Sequence, residues 1–270
     1  MDEINLNAVA QEPVQGHTSK GDQPKWQLNG KWYKADHMGY EALAEVLISK
    51  LLKKSNVTSF VEYKPVRITA AQGEIKAGCE SENFREKDEM LIPFERLHRA
   101  YKGQGLAAAL GKMSDPQDRI RYTVDFVEQV THLTGVGAYL TLLLEVDSFF
   151  LNEDRHTNNL AVIRNEKTLK FRLCPIFDNG LALLSDLNDY PIEKDMYDCI
   201  KRVQAKPFDL DFDLQVEAAE SLYGSQLKFQ FDRYDIPKEM ECLHDLYPKE
   251  VLDRVERLLY EQMRKYQVYF

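Results

Sequence analysis

Two acidic residues and one amide stand out for their types and spacing. Asp154 and Asn159 form D-x-x-x-x-N inside a polar loop, L-N-E-D-R-H-T-N-N, and Asp178 opens a later D-N-G. Carboxylate and amide oxygens of this kind suit Mg2+, a hard cation that keeps several waters and shares phosphate oxygens. Upstream, Lys34 sits on an expected strand, just before an expected helix that carries Glu41 and Glu45. A strand lysine that pairs with a glutamate on the next helix is a device for gripping nucleotide phosphates. Phosphoryl transfer uses all of these parts, because it asks a protein for positioning and charge rather than for covalent chemistry. On this reading Asp154 faces the acceptor hydroxyl, Asn159 and Asp178 bind the metal, and Lys34 holds the α- and β-phosphates of ATP. Glu45 is the favoured partner of Lys34. Glu41 stays open, since the two glutamates are four apart and share one helical face.

Each residue also has an ordinary reading. Asp154 could be a solvated loop residue, Asp178 a turn former ahead of Asn179-Gly180, and Lys34 a solvent-facing strand residue. Gly16 and Gly21 bracket G-H-T-S-K-G ahead of the first strand, where a phosphate-covering loop belongs. Glycines there permit close backbone approach and amide donation to phosphate, but the same pattern fits a plain flexible loop. His156, within D-R-H, either braces the loop or assists proton transfer near Asp154. What makes the set specific is its order along the chain: strand lysine, helix glutamate, catalytic loop, hairpin, D-N-G.

The elements that must position these residues are legible in part. Asn29-Gly30 between two aromatic-rich runs is a strong hairpin signal. Tyr40, Leu43, Leu47 and Leu51 recur at helical spacing, with Lys53 and Lys54 in the expected last turn. S-F-V-E-Y-K-P-V-R-I and the stretch around G-E-I-K-A-G-C read as strands. From about Met90 onward the character turns helical. Ser114-Asp115-Pro116 starts one helix, which Gly135 is expected to end. A mostly apolar helix over residues 136–150 follows, and all-round apolarity of that kind implies burial. L-A-V-I and T-L-K-F-R-L-C-P-I-F flank a turn at residues 164–167. One strand out and one back are expected to return Asp178 to the neighbourhood of Asn159.

Composition narrows the classes. The 270 residues carry a net charge of −9, with 44 acidic against 35 basic side chains. That balance argues against non-specific nucleic-acid binding, which needs a basic face. The longest apolar run is far below the ~20 residues of a membrane helix, and the acidic N-terminal stretch lacks the apolar core of a signal peptide. The four cysteines are scattered without C-x-x-C spacing, which favours buried thiols in a reducing cytoplasm over a zinc site. A cytoplasmic protein without a membrane partner is the expectation.

Asp154-Arg155-His156-x-x-Asn159, followed by Phe177-Asp178-Asn179-Gly180, resembles the HipA-like serine/threonine kinases of bacteria. The D-R-H-x-x-N order is shared with the phosphoinositide-kinase-like group. It departs from ordinary eukaryotic protein kinases, where His and Arg precede the aspartate and Phe stands at the position of Asn179. The likeness is strongest over residues 140–186 and weaker over residues 25–56; the Lys206-Pro207-Phe208 segment also resembles small HipA-like proteins. It implies an α+β, two-lobed protein-kinase-like fold, with a small β-rich N-lobe (residues 1–89) and a larger helical C-lobe (residues 90–270). It further implies ATP and Mg2+ as cofactors, a protein substrate, and autophosphorylation of the glycine-loop segment, with Thr18 and Ser19 as the candidate sites. The form implied is the compact one, without the extra N-terminal subdomain of full-length HipA toxins. A small-molecule or lipid kinase and a nucleotide-binding pseudokinase are the alternatives, because fold alone does not choose a substrate.

Overall fold

The computed structural model describes residues 2–12 and 23–270. The chain divides into two compact units, and it passes between them several times. Unit 1 comprises the described part of Met1–Asn83, with Asp178–Val203 and Lys228–Phe270; unit 2 comprises Phe84–Phe177 and Gln204–Leu227. Unit 1 opens with β1 (Asp2–Asn5), β2 (Lys25–Leu28), β3 (Lys31–Ala35), α1 (Glu41–Leu52), β4 (Lys64–Thr69) and β5 (Ile75–Glu82). Unit 2 continues with β6 (Glu89–Pro93), α2 (Phe94–Lys102), α3 (Leu106–Leu110), α4 (Pro116–Thr131), α5 (Val136–Phe150), β7 (Ala161–Asn165) and β8 (Phe171–Leu173). Thereafter α6 (Met196–Ile200) belongs to unit 1 and α7 (Phe212–Tyr223) to unit 2, and α8 (Asp235–Met240) and α9 (Lys249–Lys265) complete unit 1.

In unit 1 the strands form one sheet in the order β1-β4-β5-β3-β2, parallel between β1 and β4 and antiparallel elsewhere. Asn29 and Gly30 turn the β2–β3 hairpin with φ of 51° and 81°, the left-handed pair that a two-residue hairpin needs. That turn sets the register, placing Lys25 opposite Lys34, while β5 places Cys79 on the other side of Lys34. Leu6, Trp26, Tyr33, Ala35, Val66 and Ile68 form a buried cluster on the sheet. The α1 helix packs on β5 and is buried nearly all round, including Glu41 and Glu45. Its start is fixed by two carboxylates. Asp36 Oδ1 accepts from the Ala42 N–H at 2.6 Å, and Glu41 accepts from the backbone of His37, Met38 and Gly39. Lys53 and Lys54 lie just past the last helical residue, and Lys54 ion-pairs with Asp235 and Glu239 of α8 at 2.8 and 3.2 Å.

Unit 2 is largely helical, with α4, α5 and α7 packed together. Asp115 caps α4 by accepting from Gln117 N–H at 2.7 Å, with Pro116 in the first position. The helix stops earlier than expected. His132 takes φ 58° after Thr131, and Gly135 instead begins α5. The apolar α5 is buried along its length, and among the described residues no helix is long and apolar enough to cross a membrane. The expected two-strand hairpin is a three-stranded sheet, β6-β7-β8. The added strand, Glu89–Pro93, falls where helix was expected, because pairing with β7 outweighs a short segment's own preference. β1 was likewise not legible, since its four residues carry no apolar alternation and gain their place only by pairing with β4.

A charge-assisted pair closes this small sheet across its middle strand. Arg172 on β8 donates to both carboxylate oxygens of Glu89 on β6, at 2.8 and 2.7 Å, and to the Phe84 carbonyl at 3.0 Å. Its hydrogen bonds hold the Glu89 carboxyl down to about 2, against an ordinary 4.5. The folded state therefore takes up this proton less readily than the unfolded one. The stabilisation is present above pH ~4.5 and is lost as pH falls toward ~2. Because Arg172 is half-exposed, Glu89→Gln is expected to cost only about 1 kcal/mol at neutral pH. In denaturant titrations stepped downward from pH 7, the gap between variant and parent should narrow below pH ~4.5; a gap constant with pH would refute this account of the pair.

Candidate active site

In unit 1, Lys34 is 8% exposed and its ammonium reaches two carboxylates at once. It hydrogen-bonds Glu45 Oε1 on α1 and, at 2.6 Å, Asp178 Oδ1 of D-N-G. Burial by itself would lower the lysine pKa, but the charges of Asp178 and Glu45 reverse this and hold it well above the ordinary value. The group is therefore a fixed cation. Tyr63 adds its ring face, 5.3 Å from Nζ, an arrangement that favours a positive charge.

Glu45 does more than neutralise Lys34. Its other oxygen accepts from the Asn179 backbone N–H at 2.9 Å, so one carboxylate ties β3, α1 and the D-N-G turn together. Glu41, four residues earlier, faces the 37–39 backbone instead. The shared helical face suggested by sequence thus divides into two jobs. The turn itself is unusual: Asp178 adopts φ 60°, a left-handed conformation that aspartate tolerates better than most residues. The chain beyond it is laid closely against residues 38–40. Tyr40 N–H donates to the Ser185 carbonyl at 3.2 Å, and Tyr40 Oη donates to the Leu183 carbonyl at 2.8 Å. Gly39 is required there, since a Cβ would lie 2.1 Å from the Ser185 carbonyl oxygen.

In unit 2, Asp154 and Asn159 lie in the loop after α5. Asn159 donates its amide N–H to the Asp154 carbonyl at 2.9 Å. That bond orients the amide and leaves Oδ1, on its other side, as an oxygen donor suited to Mg2+. Asp154 is buried, and its N–H donates to Asn152 Oδ1 at 3.2 Å. His156 lies beside it, with Nε2 3.8 Å from Asp154 Oδ2, and neither ring nitrogen finds a hydrogen-bond partner among the described residues.

The loop is anchored by Arg155, which is fully buried. It donates Nε to Asp147 Oδ2 at 2.8 Å, Nη2 to Asp147 Oδ1 at 3.0 Å, and Nη1 to the Phe177 carbonyl at 2.7 Å. Asn152 adds a bond to Asp147 at 2.8 Å. Burial pushes the Asp147 carboxyl upward, and the neighbouring guanidinium opposes that shift without cancelling it. The anchor thus fixes both the catalytic-type loop and the residue before Asp178.

Among the sequence-predicted residues, Lys34, Glu45 and Asp178 meet within unit 1, and Asp154, His156 and Asn159 meet within unit 2. Gly16, Gly21, Thr18 and Ser19 lie outside the described residues. Three relevant side chains escaped sequence reasoning. Lys25 Nζ stands 3.7 Å from Asp178 Oδ1; the two-residue Asn-Gly turn could have revealed it, because that loop length forces Lys25 opposite Lys34. Asp147 also had a signal, as a charge inside an otherwise apolar helix must find a partner when buried. The third, Lys206, has Nζ 3.4 Å from Asp154 Oδ1; the likeness of Lys206-Pro207-Phe208 to small HipA-like proteins marked its segment but gave the side chain no role.

No family model and no curated protein matches the sequence. Among solved structures, the chain is similar to the crystal structure of a Helicobacter pylori proinflammatory kinase, CtkA. The TM-score is 0.65 at 14% identity, covering 97% of this chain and 94% of that one. At that identity the likeness bears on fold, and the chain has a kinase-like α+β fold.

The Arg155–Asp147 pair carries a stability prediction. Asp147→Leu leaves a guanidinium buried without its carboxylate and is expected to cost about 3–5 kcal/mol, whereas the double variant Asp147→Leu/Arg155→Met should cost clearly less than the two single costs combined. A double-mutant cycle by denaturant unfolding measures the coupling, and simple additivity would show that the pair is not the anchor.

Proposed function

We propose that this protein is an ATP- and Mg2+-dependent serine/threonine protein kinase of the HipA-like type, acting in the cytoplasm. The observation that carries this reading is Lys34, a buried ammonium joined to a helix glutamate and to the aspartate of D-N-G, on a kinase-like fold. A surface lysine would need no such pair of carboxylates, and a purely structural ion pair would have no reason to recruit a D-N-G aspartate in a left-handed turn.

The proposed roles follow from charge and hydrogen bonding. Lys34, with Lys25 opposite it on the hairpin, meets the α- and β-phosphate oxygens of ATP. Glu45 keeps the Lys34 ammonium aimed and holds the backbone of Asn179. Asp154 accepts the proton of a serine or threonine hydroxyl as the oxygen attacks the γ-phosphorus. The bond from that phosphorus to the β–γ bridging oxygen breaks, and ADP departs with the electron pair. His156, next to Asp154, helps to orient the carboxylate. Asn159 and Asp178 are the oxygen donors assigned to Mg2+, which when bound neutralises charge on the β- and γ-phosphates. Gly16 and Gly21 are assigned to the phosphate-covering loop, with Thr18 and Ser19 as autophosphorylation sites.

The test is incubation with Mg2+ and γ-labelled ATP, alone and with a generic protein acceptor, beside Asp154→Ala and Lys34→Met. The unsubstituted chain should label itself or the acceptor on serine or threonine. Asp154→Ala should lower the rate about 10²–10⁴-fold, and Lys34→Met should weaken nucleotide binding. Label on lipid or a small metabolite with none on protein would move the assignment to another kinase class. Mg-ATP binding without transfer to any acceptor would mark a pseudokinase, and no binding at all would overturn the proposal.

A further inference from the structure

We infer that Lys206 is a phosphate-contacting residue that rests on the Asp154 carboxylate and engages the phosphoryl group in flight; this rests on the kinase reading above. Its ammonium lies 3.4 Å from Asp154 Oδ1, with the lysine side chain 31% and the aspartate side chain 11% exposed. That distance is long for an ammonium–carboxylate hydrogen bond, which is ordinarily about 2.7–2.9 Å, and the lysine end is partly exposed, so the contact is a loose one that a more highly charged acceptor can replace.

The backbone that carries Lys206 is firmly held. On one side, buried Ala205 donates its N–H to the Leu210 carbonyl at 2.8 Å. On the other, Phe208 is fully buried, its N–H donates to Gln215 Oε1 on α7 at 2.9 Å, and its carbonyl accepts from Arg119 Nη1 on α4 at 2.6 Å. Gln215 is itself fully buried. Arg119 is pinned in turn, donating Nε and Nη2 to the Met113 carbonyl at 3.0 and 2.7 Å. A held main chain carrying a partly exposed ammonium on a long contact is what a lysine that passes from carboxylate to phosphate requires, and an incidental surface pair would not need this scaffold.

Distance then settles what the ammonium can reach. An acceptor hydroxyl poised on Asp154 sits within ordinary hydrogen-bond reach of that carboxylate, roughly 2.6–3.2 Å. The phosphorus under attack is the next atom along. A cation already on Asp154 is therefore within a side-chain rotation of the phosphoryl oxygens on which charge is spread in the transition state. Lys34 is already assigned to the α- and β-phosphates, which leaves the transferred group to another cation. Lys206 undergoes no covalent change in the step; it moves from carboxylate to phosphoryl oxygen as the hydroxyl proton arrives on Asp154.

The experiment compares steady-state phosphoryl transfer by the full chain with Lys206→Met and Lys206→Arg, alongside nucleotide affinity and thermal melts. The expectation is a ten- to hundredfold fall in kcat for Lys206→Met, with KM for ATP and the melting temperature nearly unchanged, and substantial recovery of kcat in Lys206→Arg. A kcat for Lys206→Met within twofold of the parent would overturn the inference while leaving the kinase reading intact. So would a loss confined to nucleotide affinity, or a drop in melting temperature that Lys206→Arg fails to rescue. If the unsubstituted chain transfers no phosphate, the kinase reading fails first and the inference fails with it.

Discussion

An ammonium group can stay charged and almost wholly out of water only where carboxylates surround it, and much of unit 1 is organised around meeting that demand for Lys34. Desolvating a charge costs several kcal/mol in the absence of compensation. Here compensation comes from two directions in sequence: Glu45 from α1 and Asp178 from a segment far downstream. The β2–β3 hairpin delivers the lysine, the packing of α1 on β5 delivers the glutamate, and Glu45 in turn captures the backbone beside Asp178. Removing any one of these leaves a buried charge unbalanced. Elements that are individually short thereby become mutually dependent.

Unit 2 solves a related problem with an arginine. Its guanidinium offers several donors in a fixed fork, and Arg155 uses that fork for both oxygens of Asp147 while reaching the carbonyl of Phe177. The two networks take hold of neighbouring points on the chain: Arg155 fixes Phe177, and Glu45 fixes Asn179. The residue between them, Asp178, is held in a left-handed conformation that it would not favour alone. Within unit 1, the Glu45 hold on the Asn179 N–H restrains the backbone next to this aspartate.

The cysteines and the large α5 helix play no direct part in this chemistry, but they describe its setting. Cys79 lies directly across the sheet from Lys34, and burial together with the charge of Glu45 pushes its thiol well up. It is a packing residue beside the Lys34–Glu45–Asp178 cluster. The α5 helix supplies a rigid apolar rod, and its two buried carboxylates look outward along the chain. Asp147 holds the loop after the helix, and Glu145 holds the segment that follows α7 through Ser225, Gln226 and Leu227.

By itself, the sequence determined the local devices, because each depends on residues close together along the chain. Asn29-Gly30 dictates a tight hairpin, Asp115-Pro116 starts a helix, and an apolar run over residues 136–150 is a buried helix whatever surrounds it. The motif D-R-H-x-x-N followed by D-N-G was legible for the same reason, as was a lysine one strand before a glutamate-bearing helix. Tertiary structure alone decided the rest. Whether Glu41 or Glu45 meets Lys34 turns on the azimuth at which α1 packs, which i, i+4 spacing cannot distinguish. β1 and β6 exist as strands only through partners distant in sequence. Lys206 reaches Asp154 because a turn buried under Phe208 and tied to Gln215 and Arg119 carries it there, and no local pattern records a contact made by the packing of remote segments.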